Sequence, residues 1–107
     1  MTDQPIPLPQ AIRIKLEETL GPVRVDVLLP HLKRDAVFVV APAVDLLTCG
    51  VAVALDEVAT VRGWIERGEL RKPSRAEREL WPQQPERFWN SVVVQPFVLI
   101  QDPPPAT

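Results

Sequence analysis

The amino-acid sequence predicts an α+β domain in which a small, mainly antiparallel sheet of about three strands packs against helices. Helical periodicity recurs in four segments, and short valine-rich runs of strand character lie between and after them. The length of 107 residues suits a single domain. Hydrophobic residues make up 46% of the chain and charged residues 24%, which is typical of a domain that buries a core.

Proline marks both ends of the predicted domain. Six of the 13 prolines lie in or beside the ends of the chain: Pro5, Pro7, Pro9, Pro103, Pro104 and Pro105. Closely spaced prolines favour the extended polyproline II form and do not build a core by themselves. We therefore expect extended tails at residues 1–8 and 102–107 around a single domain at residues 9–101.

Two helical segments open the domain. Residues 9–20 are predicted as the first helix, because every fourth residue from Ile12 to Leu20 is apolar, and Gly21 is expected to end it in a left-handed conformation. A second helical face follows, with apolar residues at i, i+3, i+4 and i+7: Val25, Leu28, Leu29 and Leu32. Pro30 removes an amide donor from this segment, so we expect a kink or two short turns there.

Two strands are predicted next, at residues 36–40 and 46–55, with a turn at residues 42–45. Alternate residues of the second strand form a large apolar face and a face of mostly small residues. The large face holds Leu47, Cys49, Val51, Val53 and Leu55, and the other holds Leu46, Thr48, Gly50, Ala52 and Ala54. Because small residues allow close approach, we expect helices on one side of this strand and a partner chain on the other.

The remaining elements are two helices and a strand. Residues 56–67 are predicted as a helix with Asp56 as its N-cap and Gly68 at its end. Its core-facing residues are expected to be Val58, Val61 and Ile65, with Trp64 beside them. The capping-box pattern of Ser74 and Glu77 predicts a further helix that ends near Trp81. The last strand is expected within residues 91–101, where Pro96 marks an edge or a bulge.

One polar cluster offers a candidate site near the junction of the second helix and the first strand. Its residues are His31, Lys33, Arg34 and Asp35, with Asp45 further along the chain. Histidine titrates near neutral pH, so it can serve as an acid, a base or an anion contact. A catalytic role requires His31 and Arg34 to converge with a carboxylate of Asp35, Asp45 or Asp56. The alternative for His31 is a helix C-terminal cap or a surface residue.

Other catalytic signatures are missing from the sequence. None of the four glycines stands in a phosphate-binding pattern. One histidine and one cysteine give no paired metal-ligand spacing, and the acidic residues form no metal-binding run, so we expect no metal or cofactor. Cys49 lies in an apolar run and is expected to be buried and unreactive. A lone cysteine also fits a reducing compartment, which favours the cytoplasm.

Charge and hydropathy limit the classes of partner. The net charge of −2 lacks the basic excess of a nucleic-acid-binding protein. Arginines and tryptophans mix between residues 62 and 89, but interleaved glutamates cancel most of the positive field. Pro42 and Asp45 split the long apolar stretch at residues 36–55, so we expect no membrane span, and the N-terminus lacks the pattern of a secretory signal.

Three segments together resemble a known family: LLPHLKRDAVFVVAPAVDLL, VALDEVATVRGWIERGELRKP and VVVQPFVLIQ. The family consists of small bacterial proteins that contain domain of unknown function 2288, and the resemblance covers about residues 16–101 of the chain. One departure is Val25, which stands where an aromatic residue is typical at the start of the second helix. The resemblance implies the domain boundaries and a bacterial cytoplasmic setting, and it implies no activity.

Two hypotheses of function follow. The preferred one is a non-enzymatic binding or assembly module that associates with itself, through the last strand or the small-residue face of residues 46–55, or with another protein. Three tryptophans support it, because this residue is enriched at interfaces. The alternative is a small enzyme or ligand-binding protein that uses the polar cluster around His31, Arg34 and Asp35.

Overall fold

The computed structural model describes residues 6–103 of the chain. In this range the helices are α1 (Leu8–Glu17), α2 (Val25–Lys33), α3 (Leu46–Ala54), α4 (Val58–Glu66) and α5 (Arg75–Leu80), and a 3₁₀ turn at Trp81–Gln83 follows α5. The strands are β1 (Gly21–Arg24), β2 (Val37–Val40), β3 (Leu70–Arg71), β4 (Phe88–Val94) and β5 (Phe97–Gln101). The predicted tails fall mainly on residues 1–5 and 104–107, which lie outside the described residues, and Leu8 already belongs to α1.

The five strands form one mixed sheet in the order β1–β4–β5–β2–β3. Neighbouring strands are antiparallel except β2 and β5, which run parallel with Val37 opposite Val98. The predicted α+β class is confirmed, but within residues 6–103 the sheet has five strands rather than about three. The sequence does not reveal β1 and β3 because two to four residues carry too little periodicity.

Helices cover both faces of the sheet, so the sheet separates two hydrophobic cores. The first core packs α1 and α3 on the sheet, with α4 beside them, and the second packs α2 and the 3₁₀ turn on the opposite face. β5 serves both cores because its side chains alternate. Leu99 lies in the first core, and Val98 and Ile100 lie in the second.

The prediction of a strand at residues 46–55 is wrong, because α3 occupies this segment. Asp45 is the N-cap of the helix, and its Oδ2 accepts a hydrogen bond from the backbone N of Thr48 at 2.9 Å. A helix that is buried on most sides is apolar on most sides, so its sequence lacks the one-sided periodicity of a surface helix. The small residues do permit close approach, since a Cβ at Gly50 would lie 3.2 Å from side-chain atoms of α1 and β4.

The first two helices also differ in extent from the prediction. α1 ends at Glu17, and Gly21 starts β1 instead of capping a helix, because β1 pairs with β4. α2 continues through Pro30 as a single helix rather than as two short turns. Pro30 lacks the amide that would bond to the carbonyl of Asp26, and both residues are exposed, so water can bind that carbonyl.

The N-cap of α4 lies one residue later than predicted. Asp56 is not its N-cap, because this residue has a left-handed φ of 56° in the preceding turn and Glu57 takes the N-cap position. Gly68 follows the helix with a φ of 73°, as its predicted role at the helix end requires. The turn that links α3 to α4 therefore consists of the three residues between Ala54 and Val58.

In the C-terminal part of the domain, the predicted capping box is confirmed, and the predicted single last strand is wrong. The capping box is present, because the backbone N of Glu77 donates to Ser74 Oγ at 3.1 Å and the backbone N of Ser74 donates to Glu77 Oε1 at 2.8 Å. The predicted single last strand is instead the hairpin of β4 and β5. Pro96 lies in the turn between them, after a cis peptide bond with Gln95, and not inside a strand.

Candidate functional site

The predicted polar cluster begins in the last turn of α2. His31 and Lys33 lie in that turn, and Arg34 occupies the C-cap position. The Nη2 group of Arg34 contacts Nδ1 of His31. Basic side chains are favourable here because the C-terminal end of a helix carries partial negative charge. The position of these three basic residues is therefore explained by the favourable electrostatics at the C-terminal end of α2.

Asp35 lies in the turn between α2 and β2 with a left-handed φ of 59°, a conformation that aspartate adopts more readily than most residues. Its carboxylate accepts hydrogen bonds from Lys72 Nζ and Arg78 Nη2, both at 2.6 Å. These bonds, the one from Lys72 above all, hold the pKa of Asp35 below its ordinary value. Arg78 Nη1 also donates to the carbonyl oxygen of Leu32 at 3.0 Å. Asp35 therefore joins α5 to the end of α2, and its paired carboxylate is a weak base.

Asp45 and Asp56 lie apart from this cluster. Oδ2 of Asp45 accepts hydrogen bonds from the backbone N and Oγ1 of Thr48, and Arg13 Nη2 lies 3.7 Å away. The backbone hydrogen bond from Thr48 is the main reason that the pKa of Asp45 lies below its ordinary value. Asp56 lines a groove beside α4. Neither carboxylate is paired with His31 or Arg34, and Asp35 bonds to Lys72 and Arg78.

A groove of about 520 Å³ runs between α2 and the segment that contains α5 and the 3₁₀ turn. Its lining residues are Asp26, Leu29, Pro30, Leu32, Lys33, Arg78 and Pro82. Lys33 is the one member of the predicted cluster that lines it, and Arg78 is already hydrogen-bonded to Asp35 and Leu32. Apart from Lys33, the side chains of the polar cluster therefore do not line this groove.

A second concave surface lies beside α4, and we call it the α4 groove. It combines a groove of about 480 Å³ with an adjoining apolar cavity of about 160 Å³. Its lining residues are Phe38, Val53, Asp56, Val58, Val61, Arg62, Ile65, Leu70, Phe97 and Leu99. They come from α3, α4, three strands and the turn before α4.

Two residues of α4 that were predicted to face the core are exposed and line the α4 groove. Val58 and Ile65 are 53% and 54% exposed, whereas Val61 and Trp64 pack against the first core. The helical stripe of α4 predicts an apolar face, but it carries no signal for whether the rest of the fold covers that face. The position of the groove is therefore visible only in the folded chain.

The comparison with known proteins places the chain in a family. The family model described as "Protein of unknown function (DUF2288)" matches residues 11–102. The chain belongs to this family. A solved structure from Pseudomonas aeruginosa, "NMR solution structure of PA1075", is 28% identical to it, with a TM-score of 0.75 over 100% of this chain and 95% of that chain. No curated protein matches the sequence.

Three further findings concern the chemistry open to this DUF2288 member. Cys49 is fully buried, and burial raises the pKa of its thiol to about 11, so the nucleophilic thiolate is scarce at neutral pH. Within residues 6–103, no group of three or more His, Cys, Asp or Glu side chains is arranged to hold a metal ion. Over the same range, no helix has the length and hydropathy needed to span a bilayer.

Proposed function

We propose that this DUF2288 member is a non-enzymatic binding module whose partner docks on the α4 groove. The observation that carries the proposal is that α4 has nine residues and none of them is buried. Its apolar side chains divide between partial contact with the first core and open exposure on the groove. An exposed apolar surface around a concave site is typical of a surface that binds another protein.

The contacts of the polar cluster support a role in stabilising the fold rather than a role in catalysis. A catalytic histidine is usually oriented by a hydrogen-bonded carboxylate or carbonyl, whereas His31 contacts the guanidinium of Arg34. The carboxylate of Asp35 is bound by two cations, and that of Asp45 caps α3. His31, Arg34, Asp35 and Asp45 therefore each have a partner that explains them without a substrate, and Asp56 lies on the α4 groove instead.

The charges around α4 favour a protein partner over a nucleic acid. α3 and α4 are joined by three residues, a connectivity shared with helix–turn–helix DNA-binding proteins. In those proteins the first residues of the second helix contact the bases. Here Asp56 and Glu57 occupy that end, and their negative charges would repel the phosphates of DNA.

The proposal is tested by a pair of matched surface variants used as baits in affinity capture. Val58→Asp places a charge on the α4 groove, and Val27→Asp places one on α2, away from it. Both valines lie in the first turn of a helix, at 53% and 57% exposure, so the two changes impose similar costs on folding. We expect the wild type and Val27→Asp to retain a specific partner, either another protein or a second copy of this chain, and Val58→Asp to lose it.

Two results would contradict this function. One is that no partner is retained by the wild type, and the other is that the same partner is retained equally by both variants. Circular dichroism and thermal unfolding of the three baits establish that each is folded. Binding of duplex DNA by the wild type and not by Val58→Asp would move the proposal from a protein partner to a nucleic acid.

A further inference from the structure

We infer that the occupant of the α4 groove is a second copy of this chain, held in a two-fold symmetric dimer. The inference rests on the proposed function and adds the identity of the partner. In a symmetric dimer the same surface of both copies forms the interface, because residue i contacts j while j contacts i. The α4 groove offers such a surface, since the exposed apolar side chains of Val58 and Ile65 line it and each copy would bury them against the other.

The charges of the groove are also self-complementary. It is lined by one acidic residue, Asp56, and one basic residue, Arg62. Neither forms an ion pair with any residue in the described range 6–103, although six other arginines do. A two-fold axis that passes between these side chains would bring Asp56 of each copy to Arg62 of its partner. The apolar centre would then be flanked by two identical ion pairs.

The two surfaces predicted for self-association are closed to a second copy. β5, the last strand, lies between β4 and β2, so both of its edges are already paired. The segment with the small-residue face is α3, and Gly50 on that face packs against α1 and β4. The free edges of the sheet are the short strands β1 and β3, and short edge strands resist pairing with another chain. The α4 groove, unlike these surfaces, is open to a second copy.

Charge reversal tests the dimer in a way that a simple loss of binding cannot. Sedimentation equilibrium of the purified full-length chain, from about 10 µM to about 1 mM, measures the dimer constant in a range suited to modest interfaces. Arg62→Glu and Asp56→Lys each replace two attractive pairs with two repulsive ones. Either variant alone should weaken the dimer by roughly 5- to 100-fold. An equimolar mixture of the two should form a heterodimer of near wild-type strength, and the double variant should behave like the wild type.

The controls keep a folding defect separate from a lost contact. Asp56 has a left-handed φ, which lysine tolerates less well, so Asp56→Asn provides a neutral variant that keeps the backbone conformation and should weaken the dimer less than Asp56→Lys. A wild type that stays monomeric throughout, or a mixture that associates no better than either variant alone, overturns the inference. If the monomeric wild type captures a different protein and Val58→Asp abolishes that capture, the binding function stands while the second copy is ruled out.

Discussion

At the scale of single residues, charged side chains hold the elements of this protein together. Asp35 links Lys72 and Arg78 to the turn that follows α2. Arg87 stacks over Trp89, with its guanidinium carbon 4.9 Å from the ring centroid, and donates to Asp102 at 2.9 Å. Charges that look like a possible site in the sequence therefore act as links between elements that are distant along the chain.

Glu77 has two structural roles at once. Its side chain completes the capping box at the start of α5, and its two oxygens accept hydrogen bonds from Arg71 at 2.6 and 3.0 Å. The hydrogen bond from Arg71 is the main cause that lowers the pKa of Glu77 from 4.5 to about 2. Because the ionised form is favoured in the folded state, Glu77 stabilises the protein when it is charged.

Glu77→Gln is expected to make stability less dependent on pH. At pH 7 the variant should be less stable than the wild type by about 1–2 kcal/mol, since glutamine can still cap the helix but cannot form the ion pair. The folded pKa lies below the unfolded one, so this difference should be full above pH 5 and should disappear as the pH falls from 4.5 towards 2. Urea unfolding at several pH values measures it.

The matched control for this prediction is Glu79→Gln on the same helix. Glu79 pairs with Arg75, and the two side chains are 68% and 94% exposed, so water screens their attraction. The free energy of unfolding of Glu79→Gln should stay close to that of the wild type across the same pH range. A constant difference between the wild type and Glu77→Gln down to pH 2 would contradict the role assigned to the ion pair.

At the scale of elements, α3 and α4 carry glycines with opposite surroundings. A Cβ added at Gly50 of α3 would lie 3.2 Å from Leu16 and from Val92, closer than ordinary contact distance. A Cβ added at Gly63 of α4 would meet only the guanidinium end of Arg67, which can move away. The contrast follows from position, because α3 packs tightly on the first core and α4 lies on the surface.

Gly63→Ala is expected to raise the free energy of unfolding of the protein. Gly50→Ala is expected to raise it less, or to lower it. Alanine favours a helix interior over glycine by about 1 kcal/mol at both positions. At Gly50 the tight contacts should offset that gain, because overpacking a core typically costs about 1–3 kcal/mol. Urea unfolding of both variants at one protein concentration decides the order. A Gly50→Ala variant more stable than Gly63→Ala would refute the packing described for α3.

At the scale of the whole molecule, one sheet supports two cores. Cys49 lies in the first core, and Trp81 and Trp89 lie in the second with ring centroids 4.7 Å apart. β4 and β5 contribute side chains to both cores. Unfolding of these strands would therefore disrupt both cores at once. The two faces are therefore expected to unfold as one cooperative unit.

Two probes in one denaturant titration test this cooperativity. In a Trp64→Phe background, tryptophan fluorescence reports the second core, and the accessibility of the Cys49 thiol to a labelling reagent reports the first. We expect the two transitions to share a midpoint, with no labelling of Cys49 before the fluorescence changes. A thiol that reacts at denaturant concentrations where fluorescence is still native would show that the first core opens independently.

The sequence by itself determined the features that depend on neighbours within about four residues. The helical faces of α1 and α2, the capping box of α5 and the glycine that follows α4 are local signals, because a helix contacts itself at i+3 and i+4. The unreactive setting of Cys49 was likewise predicted from its apolar run. The clustering of His31 with Arg34 was expected from their spacing, although the sequence could not show that Asp35 pairs instead with α5 and Lys72.

Only the tertiary structure decided which segments pair, and which apolar faces are covered. β1 and β3 are strands because distant strands bond to them, and α3 is a helix in a segment that is apolar on most sides. The exposure of Val58 and Ile65 likewise depends on the sheet and on α3, not on the residues next to them in sequence. Strand pairing and burial arise from contacts between residues far apart in the chain, so the local pattern predicts an apolar face without predicting what covers it.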